Sequence, residues 1–144
     1  RALLARRLLA LSIPAATDRI MLTESGTQAI DLVCRLLIEP GDAVLVDDPC
    51  YFNFRALLRA HQVKLVSVPY TPSGPDVASF EAVLEAERPR LYITNSALHN
   101  PTGATLSLQT AHRLLTTLEQ QGFAQFDPPA SAWHVGRDAF STGM

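Results

Sequence analysis

The chain is expected to fold as an α/β domain, with a mainly parallel sheet and helices on both faces. Two patterns and one composition figure lead there. Apolar runs of strand length alternate with amphipathic runs of helical length, an order that demands parallel strands joined by right-handed crossovers. The run Ala43-Val44-Leu45-Val46 is apolar without alternation, as suits a strand covered on both faces. A length of 144 residues with 47% hydrophobic content can bury one sizeable core.

Each element then has its own justification. Over residues 1–11, Leu4, Leu8 and Leu11 recur at helical spacing, and Ile13-Pro14 ends the helix because proline lacks the amide donor. Arg6 and Arg7 lie off that stripe, as a solvated face or as contacts to a phosphate or DNA. Ile20-Met21-Leu22-Thr23 reads as a short strand, followed by the turn Glu24-Ser25-Gly26-Thr27 and a helix over about residues 28–38. On that helix Asp31, Arg35 and Glu39 form a solvent stripe, while Ile30, Val33, Cys34 and Leu37 line the opposite side. Glu39-Pro40-Gly41-Asp42 turns the chain into the strand at Ala43.

A second amphipathic helix carries Phe54, Leu57 and Leu58, and residues 63–68 form the next strand. Thr71-Pro72-Ser73-Gly74-Pro75 is a turn-rich joint. Asp76 or Ser79 caps the helix bearing Phe80, Val83 and Leu84, which Arg88-Pro89 ends. Leu91-Tyr92-Ile93-Thr94 is a strand by composition. Beyond a polar turn, Ser107 caps a last helix carrying Leu108, Ala111, Leu114, Leu115 and Leu118.

Three turns carry chemistry. Between Asn95 and Gly103 the chain crowds Asn95, Ser96, His99, Asn100 and Thr102 around Pro101, at the carboxyl end of a strand, where open α/β sheets bind ligands. At Ser25-Gly26-Thr27 a glycine turn opens a helix whose first amides have no internal partner. That turn is either a phosphate site or an ordinary capped helix start. Asp47-Asp48-Pro49-Cys50-Tyr51 follows the carboxyl end of the strand at Ala43, with Tyr51 available for packing or for stacking on a flat ligand.

His99-Asn100-Pro101-Thr102-Gly103 resembles the Asn-Pro-Thr-Gly signature of the class I/II aminotransferase superfamily, fold type I enzymes that use pyridoxal 5'-phosphate (PLP). Ser25-Gly26-Thr27 and Asp48-Pro49-Cys50-Tyr51 match two further motifs of that superfamily in the correct order. The resemblance implies that residues 1–123 are part of the large PLP-binding domain. By the same resemblance Ser25, Gly26 and Thr27 hold the cofactor's phosphate, Tyr51 stacks on its ring, and Asn100 hydrogen-bonds its ring hydroxyl. Within the superfamily the chain looks most like the aminotransferase-like domain of MocR-type regulators, which carry it behind a GntR-like winged helix that binds DNA. The alternative is part of a free class I/II aminotransferase acting on an amino acid and a 2-oxo acid. The resemblance also implies an amino acid or related small molecule as effector or substrate, and a homodimer for the complete protein.

Residues 124–144 depart from the family pattern and are read as a divergent tail, truncated or frame-altered. Asp127 falls near the place of the acidic partner of the pyridine nitrogen, but Pro128-Pro129 makes a poor central strand around it. The Schiff-base lysine of the family lies beyond that point. This chain has a single lysine, Lys64, at the start of a strand and so at the opposite sheet edge, which leads to the expectation that the chain alone has no transaminase activity. The charge of -2 gives no broad reason to expect nucleic-acid binding by this segment. No apolar run approaches a membrane span, Cys34 and Cys50 show no metal-ligand spacing, and the chain is read as soluble and cytoplasmic with reduced thiols.

Overall fold

The computed structural model describes residues 1–10, 13, 15–95 and 98–121. Their elements run α1 (Ala2–Ala10), a 3₁₀ turn at Thr17–Arg19, α2 (Gly26–Leu37), β1 (Ala43–Asp48) and α3 (Phe52–Ala60). They continue through β2 (Lys64–Thr71), β3 (Gly74–Pro75), α4 (Val77–Glu87), β4 (Leu91–Ile93) and α5 (Leu108–Gln120). The sheet order is β3-β2-β1-β4. β1 lies parallel to both β2 and β4, and only the short β3 runs antiparallel.

β1 is central because its side chains are apolar in both directions. Val44 and Val46 point to one face and meet Ile30 and Cys34 of α2 and Leu58 of α3. Leu45 points to the other and meets Val68, Phe80, Leu84 and Leu114, so α4 and α5 cover that side. Val44, Leu45 and Val46 are all fully buried, and each contributes about 1.5–3 kcal/mol of transfer free energy. The expected α/β layering, with helices on both faces, is what the chain forms.

Local chemistry sets the helix ends. Ser25 Oγ accepts from the Gln28 amide, Asp76 Oδ1 from the Ser79 amide, and Ser107 Oγ from the Thr110 amide. Asp76, not Ser79, is therefore the cap of α4. At the far end of α4, Arg88 adopts a left-handed conformation (φ 43°) and its amide reaches back to the Leu84 carbonyl.

Two expectations need correction. Residues 20–23 are not a strand: no strand pairs with them among the described residues, and Met21 and Leu22 are exposed. Their β-forming composition is insufficient without a neighbouring edge to pair with. The joint at residues 71–75 is more than a turn, since Tyr70 pairs with Pro75 and Thr71 with Gly74 in a small hairpin. Gly74 has φ +124°, and a Cβ there would lie 2.4 Å from Leu106 Cδ1, so both backbone and space call for glycine. Residues 122–144, with Asp127 and the divergent tail, lie outside the described residues.

Two half-buried carboxylates link folding to acid. Hydrogen bonds from Arg35 and His61 hold Asp31 below the usual carboxylate range, and the hydroxyl and amide of Ser79 do the same for Asp76. Their folded pKa values lie under the unfolded value of 3.8, so their contribution is present above that pH and lost as pH falls through the folded values. Urea midpoints followed by circular dichroism are expected to drop between pH 5 and pH 3, with a shallower drop in Asp31→Asn. An equal slope in that variant would remove Asp31 from the account.

Candidate functional site

The carboxyl ends of β1 and β4 share one sheet edge, because Val46 of β1 pairs in parallel with Ile93 of β4. Residues 48–51 leave β1 there, and residues 98–103 lie on the chain leaving β4. α2 runs antiparallel to β1, since the turn at residues 38–42 joins its carboxyl end to the start of β1 while Ile30 and Cys34 pack on Val44 and Val46. Its 12 residues span about 18 Å, roughly the length of β1, which brings Ser25, Gly26 and Thr27 to that same edge.

The three groups differ in how committed they are. Ser25 Oγ is used as a cap acceptor, which leaves its proton free to donate. The Gly26 and Thr27 amides have no acceptor within the helix. A Cβ at Gly26 would meet nothing within 4 Å, so the space before the helix is open. The Tyr51 ring makes a T-shaped contact with Phe54 at 5.5 Å and a tilted one with Phe52 at 4.9 Å, and its hydroxyl accepts from Asn53 Nδ2 at 2.7 Å. The Asn100 side chain makes no hydrogen bond within the described residues and is half-buried. Both Asp48-Pro49 and Asn100-Pro101 are cis.

Lys64 opens β2 opposite Ala43, at the amino edge of the sheet, and pairs with Glu87. It lies a strand length of about 17 Å from the Ser25, Tyr51 and Asn100 edge.

Behind the polar turn sits a buried cluster. Asp47 and His99 are each 2% exposed. Asp47 accepts from the Tyr92 hydroxyl at 2.6 Å, the Thr94 hydroxyl at 2.7 Å and the Asn95 amide, and lies 3.3 Å from His99 Nε2. The imidazole stacks on the Tyr70 ring at 3.6 Å, and its Nδ1 meets Thr102 Oγ1 at 2.7 Å. Burial pushes the Asp47 carboxyl up while its donors pull it down; burial and the Asp47 charge push the Tyr92 hydroxyl up, and push that of Tyr70 up to about 12. Both phenols are therefore neutral near pH 7; Tyr92 donates to Asp47, and the buried Tyr70 hydroxyl has no partner among the described residues. Sequence reasoning placed His99 in the motif and Tyr92 and Thr94 in a strand, but did not join them to Asp47. The signal was the period of two: Leu45 and Asp47 share one face of β1, and Tyr92 and Thr94 share one face of the β4 segment.

The profile of aminotransferase class I and II matches residues 3–126. The chain belongs to that family. A 2-aminoadipate transaminase of Thermus thermophilus is 30% identical over 113 residues, covering 78% of this chain and 28% of that protein. An HTH-type transcriptional regulator of Escherichia coli, YdcR, is 31% identical over 142 residues, covering 96% of this chain and 30% of the regulator. Among solved structures, the α-aminoadipate aminotransferase LysN of Thermus thermophilus, complexed with N-(5'-phosphopyridoxyl)-L-leucine, superposes with a TM-score of 0.73 at 32% identity. That match covers 83% of this chain and 31% of LysN. This class I/II aminotransferase segment thus spans less than a third of each of these relatives.

Proposed function

We propose that this aminotransferase segment binds PLP through Ser25, Gly26, Thr27, Tyr51 and Asn100. The observation that carries the reading is the convergence, at one sheet edge, of an open helix N-terminus, an aromatic ring and an uncommitted amide. The donor set fits the group: two helix amides and the Ser25 and Thr27 hydroxyls suit a phosphate dianion, helped by the positive end of the α2 dipole. The Tyr51 ring offers a face to a flat heterocycle, and the Asn100 amide donates to a ring oxygen. When bound, the cofactor supplies an electron sink for bond breaking at the α-carbon of an amino acid. The chain's own residues bind and orient; Lys64, at the far edge, is out of reach for moving a proton there.

We read the complete protein as a MocR-type regulator that senses an amino acid or related effector, a reading supported by the YdcR match across 96% of this chain. DNA contact would then come from a winged helix outside residues 1–144, the protein would work as a homodimer in the cytoplasm, and residues 1–123 would be its partial PLP domain. No described helix is long and apolar enough to cross a membrane. The second reading, a free aminotransferase, is favoured by the transaminase and LysN matches. Reading the gene upstream of the Arg1 codon separates them: a basic winged-helix pattern supports the regulator, and a short lead-in the enzyme.

The cofactor placement has its own test. Thr27→Pro removes one amide and one hydroxyl from the phosphate turn and is expected to weaken PLP binding by about tenfold in an absorbance titration, as the loss of a charge-assisted hydrogen bond implies. An unchanged affinity would take the phosphate away from this turn.

A further inference from the structure

The buried pair beneath the polar turn has no part in the cofactor contacts just described, yet it is wired to them. His99 closes the turn with its backbone, accepting from the Gly103 amide at 2.6 Å and donating to the Ala104 carbonyl at 2.8 Å. Its side chain then holds Thr102, whose Oγ1 also accepts from the Ala104 amide at 3.3 Å. Asp47 accepts from Tyr92, Thr94 and Asn95, and its Oδ2 lies 3.3 Å from His99 Nε2, an electrostatic contact between the buried carboxylate and the imidazole. His99 Nδ1 and Thr102 Oγ1 share a hydrogen bond of 2.7 Å whose direction depends on the imidazole tautomer, and Thr102 Oγ1 also accepts from the Ala104 amide. Every polar atom along this line has a partner, and the line ends in the strand at the centre of the sheet.

Resting on the PLP reading of Asn100, we infer that Asp47, acting through His99 and Thr102, is the positioning residue that holds the Asn100 turn ready for the ring oxygen of the cofactor. Asp47 touches no ligand in this scheme. Its anchorage is rigid, because it accepts from two hydroxyls of the β4 segment and follows the fully buried Val44, Leu45 and Val46 on β1. Tyr70 stacks on the imidazole at 3.6 Å, and with His99 only 2% exposed this packing restricts the ring. Asn100 follows His99 directly, and a fixed His99 fixes where the Asn100 amide points.

The test separates this role from plain stability. Thr102→Val cuts the line at its exposed end, far from the core, and Asp47→Asn weakens it at its source. In the unliganded chain, amide exchange followed by nuclear magnetic resonance is expected to rise about tenfold at His99 and Gly103 in Thr102→Val, with β1 amides unchanged. The imidazole nitrogen shifts of His99 should differ from the parent in both variants. Unchanged exchange and unchanged shifts would overturn the clamp. A PLP titration of Thr102→Val, Asn100→Ala and the double variant then tests the purpose. Thr102→Val is expected to cost about tenfold in affinity alone and nothing further once Asn100 is gone. Fully additive losses would overturn positioning through Asn100. A neutral Asn100→Ala would instead overturn the cofactor reading, and the exchange and shift results alone would then decide the clamp.

Discussion

Phe80→Ala is expected to lower the unfolding free energy by about 3–5 kcal/mol, as large-to-small changes at sealed aromatic sites do. Phe80 is fully buried on α4 among Leu45, Val68, Leu84 and Leu114, and its ring meets Tyr92 edge-on at 5.1 Å. Two costs add here. The lost ring forfeits its transfer free energy, and the cavity it leaves lies between a central strand and two helices that cannot both move in to fill it. Because Tyr92 also holds Asp47, slackness at Phe80 should reach the buried cluster. Urea unfolding followed by circular dichroism checks the value. A loss under about 1 kcal/mol would mean that α4 and α5 collapse onto the gap, and that the face built on Leu45 is softer than its burial implies.

Asp47→Ala is expected to cost a similar amount, about 3–5 kcal/mol, for a different reason. The change removes few atoms. It strands the Tyr92 and Thr94 hydroxyls beside a carboxylate site only 2% exposed and leaves His99 Nε2 without its charged neighbour. Buried donors without an acceptor pay their full desolvation penalty, so the loss comes from the partners left behind. Adding Tyr92→Phe to Asp47→Ala should then restore part of the stability, because it deletes one of the stranded donors. If the double variant is less stable by the plain sum of the two single losses, the hydroxyl is not stranded and the explanation fails.

How much of this could be read from the residues depended on the range of the interaction. Helix ends were legible because their causes are local: Ser107 and Asp76 sit three residues before the amides they accept. β1 was legible because an unbroken apolar run has few places to go. The segment at residues 20–23 misled for the complementary reason, since strand-forming side chains describe only half of a ladder. β3 was hidden because a pairing of two residues leaves almost no periodic trace. Of the site, the three motifs were visible as turns at chain positions. The cluster was not, because joining Asp47 to Tyr92 requires knowing that β1 and β4 are neighbours in a particular register, and nothing near either residue states it.

The polar turn is held at both ends. At its front His99 is locked to Asp47, and at its back the Ser107 amide donates to the Ser73 carbonyl at 2.9 Å while Leu106 and Thr110 press on Gly74. Most surface loops tolerate insertions, because their closure entropy grows only slowly with length. This one has no such freedom, since its two ends are pinned to separate parts of the same rigid layer. The spacing from His99 to Ser107 therefore works as a ruler: substitutions within it can be absorbed one side chain at a time, whereas an added or missing residue must tear out one of the two pins. Length, more than residue identity, is what this stretch of chain has to conserve for its turn to stay where it is.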